Sequence, residues 1–424
     1  MNISVDQVAQ PELANHDSSV LDLAFAMDCT GSMGSYIATA QQSIRKIVEE
    51  IVSKEKSDIH LALVEYRDHP PQDSTFVTRV HDFTGSVSSM KSWLDAANAT
   101  GGGDTPEAVA DALHQVLKLS WRDEATKICV FIADAPPHGL AASGDGFPKG
   151  CPDGIDPIHV TTQLAEKGVT MYMVGCEPSI TPYKDFFMAI AHMTGGQYVP
   201  LRNAALLAKV IIGGAQEEIS LQRLMEEVNQ EVMEEYRVSG GVVDEDAMTK
   251  AVSEKLKKKG AKSHQLKMNS YALGGPTTSA VRLASKSSMA EVKEDYVTNI
   301  APTAPSSLPM AACAMSAPMG MSYTRSASKK KKAKSPGFFG RLMGSGSTAS
   351  TDETYEDDAS AAPVAELERC ELRNASFDAM AIPAPEPRGE DVYEVEEDQE
   401  ITMSQAHRMV KKSIAQNKLQ SKLM

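Results

Sequence analysis

The stretch LDLAFAMDCTGS, residues 21–32, decides which fold the sequence predicts. It opens with a short, nearly continuous apolar run that ends at Asp28, and the hydroxyl side chains of Thr30 and Ser32 follow. Apolar runs of this length are typical of parallel strands that are covered on both faces. A helical pattern begins a few residues later, so the stretch predicts a strand, a tight turn and a helix.

Working outward, the same alternation of apolar runs and helical patterns continues to about residue 212. Because strands that alternate with helices build a parallel sheet, we predict a doubly wound, mostly parallel α/β sheet of Rossmann-like type, with helices on both faces. In such sheets, ligands bind outside the carboxyl ends of the strands. The predicted strands are IHLALVEYRD (59–68), TFVTRVHDF (75–83, at the sheet edge), KICVFIAD (127–134) and VTMYMVGC (169–176).

The remainder of the chain differs in character from this α/β segment. An apolar stripe amid Glu and Gln predicts helices after residue 214, and a later segment rich in Ser, Ala, Pro, Thr and Met shows no periodicity. That composition cannot bury enough apolar area to offset chain entropy, so we expect disorder there. The predicted organisation is an N-terminal lead (1–18), the α/β domain (19–213), a helical arm (214–270), a disordered linker or tail (271–398) and a C-terminal amphipathic helix (399–424).

Composition limits the possible function classes. The 424 residues carry a formal net charge of −15, which argues against bulk binding to nucleic acid or anionic membranes. We expect no membrane span and no signal peptide, because apolar runs of about 18 residues and a basic leader are missing. Six cysteines without a CxxC pair favour a reducing, cytoplasmic location. The basic cluster from Lys329 to Lys332 could be a nuclear-import signal or a charge tether, although a solvated run in a disordered tail is favoured.

Oxygen-bearing side chains follow three predicted strands or open the next helix. They are Asp28, Thr30 and Ser32 after the first strand, Thr105 in a glycine-rich loop, and Asp134 at a later strand end. These positions can meet at one rim of the sheet. Hard oxygen ligands with few charges suit Mg²⁺ or Mn²⁺. An ion held largely through neutral hydroxyls would keep positive character and accept an acidic side chain from a partner as its last ligand.

The phrases DCTGSM, GGGDTPEA and DAPPHG carry a family resemblance. Residues 20–212 resemble a von Willebrand factor type A domain, most closely the version found beside alpha-kinase catalytic domains and in related stand-alone proteins. The resemblance implies a metal-ion-dependent adhesion site at Asp28, Thr30, Ser32, Thr105 and Asp134, which binds a protein ligand that offers an Asp or Glu. The family usually has serine at the second of these positions, and Thr30 keeps its hydroxyl. The remaining sequence shows no convincing kinase-like domain.

Simpler roles for these residues stay open. Thr30 or Ser32 could cap the first helix, and Asp104 or Thr105 could cap the next. Asp104 could also shape its loop together with two neighbours, Gly103 and Glu107. A loop histidine, His138, follows Asp134 closely and could approach the metal rim.

Two other function classes compete with adhesion. A metal-dependent phosphotransferase, a phosphatase or an alpha-kinase-related signalling protein could use the same rim. However, an aspartyl-phosphate enzyme needs a second acid where Thr30 stands, and neither GxxxxGK[ST] nor GxSxG occurs. A metal-free structural scaffold is the third class. The favoured prediction is a protein without enzymatic activity that binds a partner through a divalent cation.

Overall fold

A computed structural model describes residues 17–55, 58–300 and 391–422. Six strands form one sheet in the order β3-β2-β1-β4-β5-β6, parallel throughout except for β3, which runs antiparallel to β2 at the edge. This arrangement confirms the predicted doubly wound sheet. The strands are β1 (Asp17–Asp28), β2 (Asp58–Tyr66), β3 (Thr78–Thr84), β4 (Ala125–Ala133), β5 (Val169–Cys176) and β6 (Gln197–Leu201).

Helices cover both faces of this sheet. The central strand β1 directs its large side chains, such as Phe25 and Met27, to the face covered by α1, α2 and α6, and its alanines to the face of α3, α4 and α5. Burial on both faces explains why β1 reads as a nearly continuous apolar run. No helix in the described part of the chain has the length and apolar character needed to cross a membrane. The helices are α1 (Gly34–Glu55), α2 (Val87–Ala96), α3 (Val109–Lys118), α4 (Pro157–Glu166), α5 (Lys184–Met193) and α6 (Leu207–Gln222).

The helical extension predicted after the sheet is present. Helix α6 packs beneath the sheet as far as Ile219, so the boundary expected at residue 213 falls inside a helix. The second helix of the extension, α8, has three lysines in its last turn, and Gly260 follows with a positive φ, which is typical of a helix C-terminus. The elements are α7 (Met225–Val238), β7 (Val243–Asp244), α8 (Glu245–Lys258), β8 (Lys262–Met268) and β9 (Tyr271–Ala272).

The prediction of disorder over 271–398 is wrong at both ends of that range. Residues Thr278–Ala284 (α9) and Met289–Asn299 (α10) are helices, and Tyr393–Glu400 (β10) pairs antiparallel with β8. Both helices are short, and their few apolar side chains, such as Leu283 and Tyr296, are buried in the core beside α5. Sequence periodicity misses them because tertiary packing stabilises them. Residues 301–390, with the cluster from Lys329 to Lys332, lie outside the described residues, as do residues 1–16.

The C-terminal segment completes the core. Helix α11 (Met403–Gln416) packs its apolar face against α7 and α8, and β11 (Ser421–Lys422) pairs with β7. The predicted interaction face therefore contacts the chain itself.

Buried ion pairs fix α11 on the sheet domain. Arg408 lies 2.9 Å from carboxylate oxygens of both Glu217 and Glu218 and donates to the Tyr172 hydroxyl at 2.6 Å. Lys412 pairs with Glu218 from the next turn of the helix. Because all four charged groups are buried, each cation has to be present for the carboxylates to be tolerated.

We expect Arg408→Ala to lower the free energy of unfolding by about 3–5 kcal/mol, because the buried Glu217 loses its paired cation and the buried Glu218 loses one of two. The matched control is Arg237→Ala, which breaks an exposed ion pair with Glu234 and should leave the urea midpoint nearly unchanged. Urea unfolding of the full chain measures both. A loss below about 1 kcal/mol for Arg408→Ala would show that α11 does not depend on this network.

Candidate metal centre

The carboxyl ends of β1 and β4 meet at the switch point of the sheet. The chain leaves β1 toward β2 on one side and returns to β4 on the other, which opens a crevice between the following loops. Asp28 is the last residue of β1, and Asp134 directly follows β4. The two carboxylates are close enough that Asp134 raises the pKa of Asp28.

The turn after β1 orients the Asp28 carboxylate. Oδ1 of Asp28 accepts hydrogen bonds from the Thr30 backbone N–H at 2.8 Å and the Thr30 hydroxyl at 2.6 Å. The Thr30 hydroxyl also lies 3.4 Å from the exposed hydroxyl of Ser32. Thr30 stands at the N-cap position of the next helical turn, yet its side chain makes no capping bond. Its hydroxyl therefore positions a carboxylate, and helix capping is not its role.

The backbone of the glycine-rich loop packs closely against the turn at Thr30. Gly102 has φ of 80°, and a Cβ there would lie 2.8 Å from Oε1 of Glu107 and 3.3 Å from Cβ of Thr30. A Cβ on Gly103 would meet the Gln72 carbonyl oxygen at 2.6 Å. Both glycines are needed because the loop passes so close to its neighbours. Gly103 therefore shapes the loop, as expected.

Three residues of this loop occupy different environments. Thr105 is exposed, and its place among the metal ligands stays a prediction. Asp104 does not cap α3, whose N-cap residue is Ala108; its Oδ2 accepts from the Gly146 backbone N–H at 2.6 Å. Glu107 is buried beside the rim, and its backbone N–H donates to the Pro136 carbonyl at 2.9 Å. The loop is thus attached to the segment that follows β4.

Several carboxyl groups are buried at the rim, and no ion pair between described residues neutralises Asp28, Glu107 or Asp134. Burial and the neighbouring Asp134 raise the pKa of Asp28 to about 7, and burial together with Asp28 raises that of Glu107 to about 10. Burial also raises the pKa of Asp134, although a hydrogen bond from Ser32 opposes it. Each of these groups has one buried carboxylate oxygen without a hydrogen-bond partner among the described residues: Oδ2 of Asp28, Oδ1 of Asp134 and Oε2 of Glu107.

Sequence reasoning missed Asp68, which is fully buried beside this rim. Its Oδ1 accepts from the His69 backbone N–H at 2.6 Å and lies 2.7 Å from Nε2 of His138. Asp68 follows the carboxyl end of β2, next to β1, and that position is a signal that could have identified it.

His138 is held between two carboxylates. Nδ1 of His138 lies 3.0 Å from Oδ1 of Asp145, opposite the contact with Asp68. Burial alone lowers the pKa of His138, but the hydrogen bonds to Asp68 and Asp145 outweigh it and raise that pKa. His138 thus lies beside the rim, as expected, with both ring nitrogens engaged.

The residues at the rim fit a hard divalent cation. Mg²⁺ and Mn²⁺ take carboxylate, hydroxyl and water oxygens, and all of these side chains offer oxygen. Buried carboxylate oxygens without a donor cost free energy, which a bound cation would remove. The ion would supply a Lewis-acidic centre to which an external carboxylate can bind.

Comparison with known proteins agrees with this geometry. Residues 22–144 match the family described as von Willebrand factor A domain. Alpha-protein kinase vwkA of Dictyostelium discoideum is 30% identical over 158 residues, which is 37% of this chain and 25% of that protein. The putative ariadne-like RING finger protein R811 of Acanthamoeba polyphaga mimivirus is 26% identical over 208 residues, covering 46% of this chain and 20% of that protein.

A solved von Willebrand factor type A structure from Catenulispora acidiphila is 15% identical, with a TM-score of 0.33 over 48% of this chain and 43% of that one. The chain contains a von Willebrand factor A domain and resembles vwkA in that region. It spans a quarter or less of the length of these curated relatives.

Because the pKa of Asp28 is raised, the stability of the folded chain should depend on pH, and this dependence can be measured without metal. Its folded-state pKa of about 7 exceeds the usual 3.8, so its contribution to stability is largest below pH 3.8 and is lost as the pH rises to about 7. We expect Asp28→Asn, which can keep the bonds from Thr30, to exceed wild type in melting temperature by a few degrees at pH 8 in EDTA, and by less at pH 5. Asp95→Asn, at an exposed position of α2, is the control. Equal melting curves for wild type and Asp28→Asn at pH 8 would show that the ionised Asp28 carboxylate does not destabilise the fold.

Proposed function

We propose that this protein is a non-enzymatic interaction protein whose von Willebrand factor A domain binds an acidic group of a protein ligand through a divalent cation. The cation is Mg²⁺ or Mn²⁺. The proposed ligands are Asp28, Thr30, Ser32, Thr105 and Asp134. Family membership of residues 22–144 supports an interaction role, because such domains mediate protein interactions.

The observation that carries this proposal is the set of buried, unpartnered carboxylate oxygens at the switch point. Among the described residues, Asp28, Glu107 and Asp134 each keep one, and the exposed residue Ser32 lies beside them. A cation bound to these oxygens would offset the cost of burying them, and the exposure of Ser32 would give a partner access to it.

The proposal includes no bond-breaking step. Both nitrogens of His138 contact carboxylates, which leaves this histidine poorly placed to accept a proton from a substrate. The alternative of an alpha-kinase-related signalling protein draws on the resemblance to vwkA, but only a quarter of that kinase is matched. We further propose a cytoplasmic location, in line with the cysteine pattern.

The first experiment tests metal binding. Saturation with Mg²⁺ or Mn²⁺ at about 100 times Kd should add about 2.7 kcal/mol to the stability of the full chain and raise its melting temperature by several degrees. Asp28→Ala should abolish that rise, and Asp95→Ala should keep it. A melting temperature that does not respond to millimolar metal would favour the metal-free scaffold.

The second experiment tests ligand capture. The immobilised full chain should retain protein ligands in Mg²⁺ and lose them in EDTA or when Asp28 is replaced by alanine. Free acetate or glutamate at high concentration should compete, because their carboxylates take the same coordination position. Capture that survives both EDTA and Asp28→Ala would place the binding surface elsewhere on the chain.

A further inference from the structure

A second cluster of ligating side chains lies behind the rim. It consists of His69, in the segment after β2, Asp111, in the first turn of α3, and Cys151, in the long segment between β4 and α4. His69 and Asp111 are buried, and Cys151 is partly buried. Three separate parts of the fold thus direct one nitrogen, one oxygen and one sulfur atom to a common point.

The distances within this cluster are within a few tenths of an ångström of those in a tetrahedral zinc site. Nε2 of His69 lies 2.9 Å from Oδ2 of Asp111, and Sγ of Cys151 lies 3.2 Å from the same oxygen and 3.9 Å from Nε2. Ligand atoms at the usual distances of about 2.0–2.3 Å from a tetrahedral zinc ion are about 3.3–3.6 Å from one another. Shifts of a few tenths of an ångström would therefore bring the three atoms to coordination distance.

The nitrogen and sulfur donors of this cluster argue against Mg²⁺, the kind of ion proposed at the rim. Mg²⁺ prefers oxygen ligands, whereas thiolate and imidazole together select zinc and similar borderline or soft ions. A catalytic Cys-His-Asp relay also fits poorly. In such a relay the carboxylate binds the histidine nitrogen that faces away from the nucleophile. Here Asp111 contacts Nε2 of His69, the nitrogen nearest the Cys151 sulfur.

A zinc ion bound at Cys151 would have a structural role in the segment that carries this cysteine. The chain between β4 and α4 is long and contains no helix or extended strand pairing of its own, which is uncommon in a compact domain. Asp145 orders its first half by accepting backbone N–H bonds from Gly139 and Phe147, both at 2.8 Å. A metal at Cys151 would attach the second half to β2 and α3.

We propose that His69, Asp111 and Cys151 bind one zinc ion, with a fourth position left for water. This site is separate from the oxygen rim but adjoins it, because His69 directly follows Asp68 and donates its backbone N–H to that carboxylate. Zinc would therefore connect the segment after β2, which carries Asp68, to the segment after β4, which carries His138. Its binding does not depend on the proposed adhesion function.

Metal analysis of the reduced full chain tests the site. After EDTA treatment, in millimolar Mg²⁺, the chain should take up one equivalent of Zn²⁺ at micromolar concentration. Cobalt in place of zinc should give the thiolate charge-transfer and visible bands of a tetrahedral site. Cys151→Ala and His69→Ala should weaken zinc binding at least tenfold and remove the cobalt bands. Asp28→Ala and His159→Ala, the latter at an exposed position of α4, should keep both.

Thiol alkylation of the wild-type chain gives a readout that does not depend on a variant's folding. Zinc should slow alkylation of Cys151 at least tenfold, while Cys313 and Cys370, outside the described residues, serve as reference thiols in the same spectrum. No zinc uptake, or uptake that neither variant weakens and that leaves Cys151 fully reactive, would overturn the proposal. The three side chains would then form only a hydrogen-bonded cluster.

Discussion

The burial of several carboxyl groups where β1, β2 and β4 end is the constraint that shapes the candidate site and the loops around it. The parallel sheet brings Asp28, Asp68 and Asp134 to one edge, and the neighbouring loop adds Glu107. Burial raises the pKa of several of these groups, since the part of the chain that the structure describes supplies little positive charge there. The glycine-rich loop and the turn at Thr30 are shaped around this crowding.

A second group of buried carboxylates is neutralised by cationic side chains of the same chain. Glu217 and Glu218 are as deeply buried as Asp28, but Arg408 and Lys412 reach them from the C-terminal helix. Burial raises the pKa of Glu218, yet these cations outweigh it and lower that pKa, while burial still dominates at Glu217. The contrast supports the proposal that a cation from outside the chain binds at the rim.

The two proposed metal sites differ in chemistry although they adjoin. The rim offers oxygen atoms only, whereas the cluster at Cys151 combines sulfur, nitrogen and oxygen. A hard ion such as Mg²⁺ would therefore bind at the rim and zinc at the cluster, because the ligand types of the two sites differ. The dipeptide Asp68-His69 connects them, because the His69 backbone N–H donates to the Asp68 carboxylate beside the rim.

The sequence by itself determined five of the six strands of the main sheet and the positions of Asp28 and Asp134 at strand ends, because apolar runs and strand ends are local features. It did not predict β6, which is a short strand. It did not reveal α9, α10 or β10, whose few apolar residues are stabilised by distant partners. The cluster at Cys151 likewise depends on segments far apart in the chain coming together, whereas Asp68 follows the end of β2 and its position was readable from the sequence. Only tertiary structure decides such contacts, since side chains far apart in sequence leave no periodic pattern.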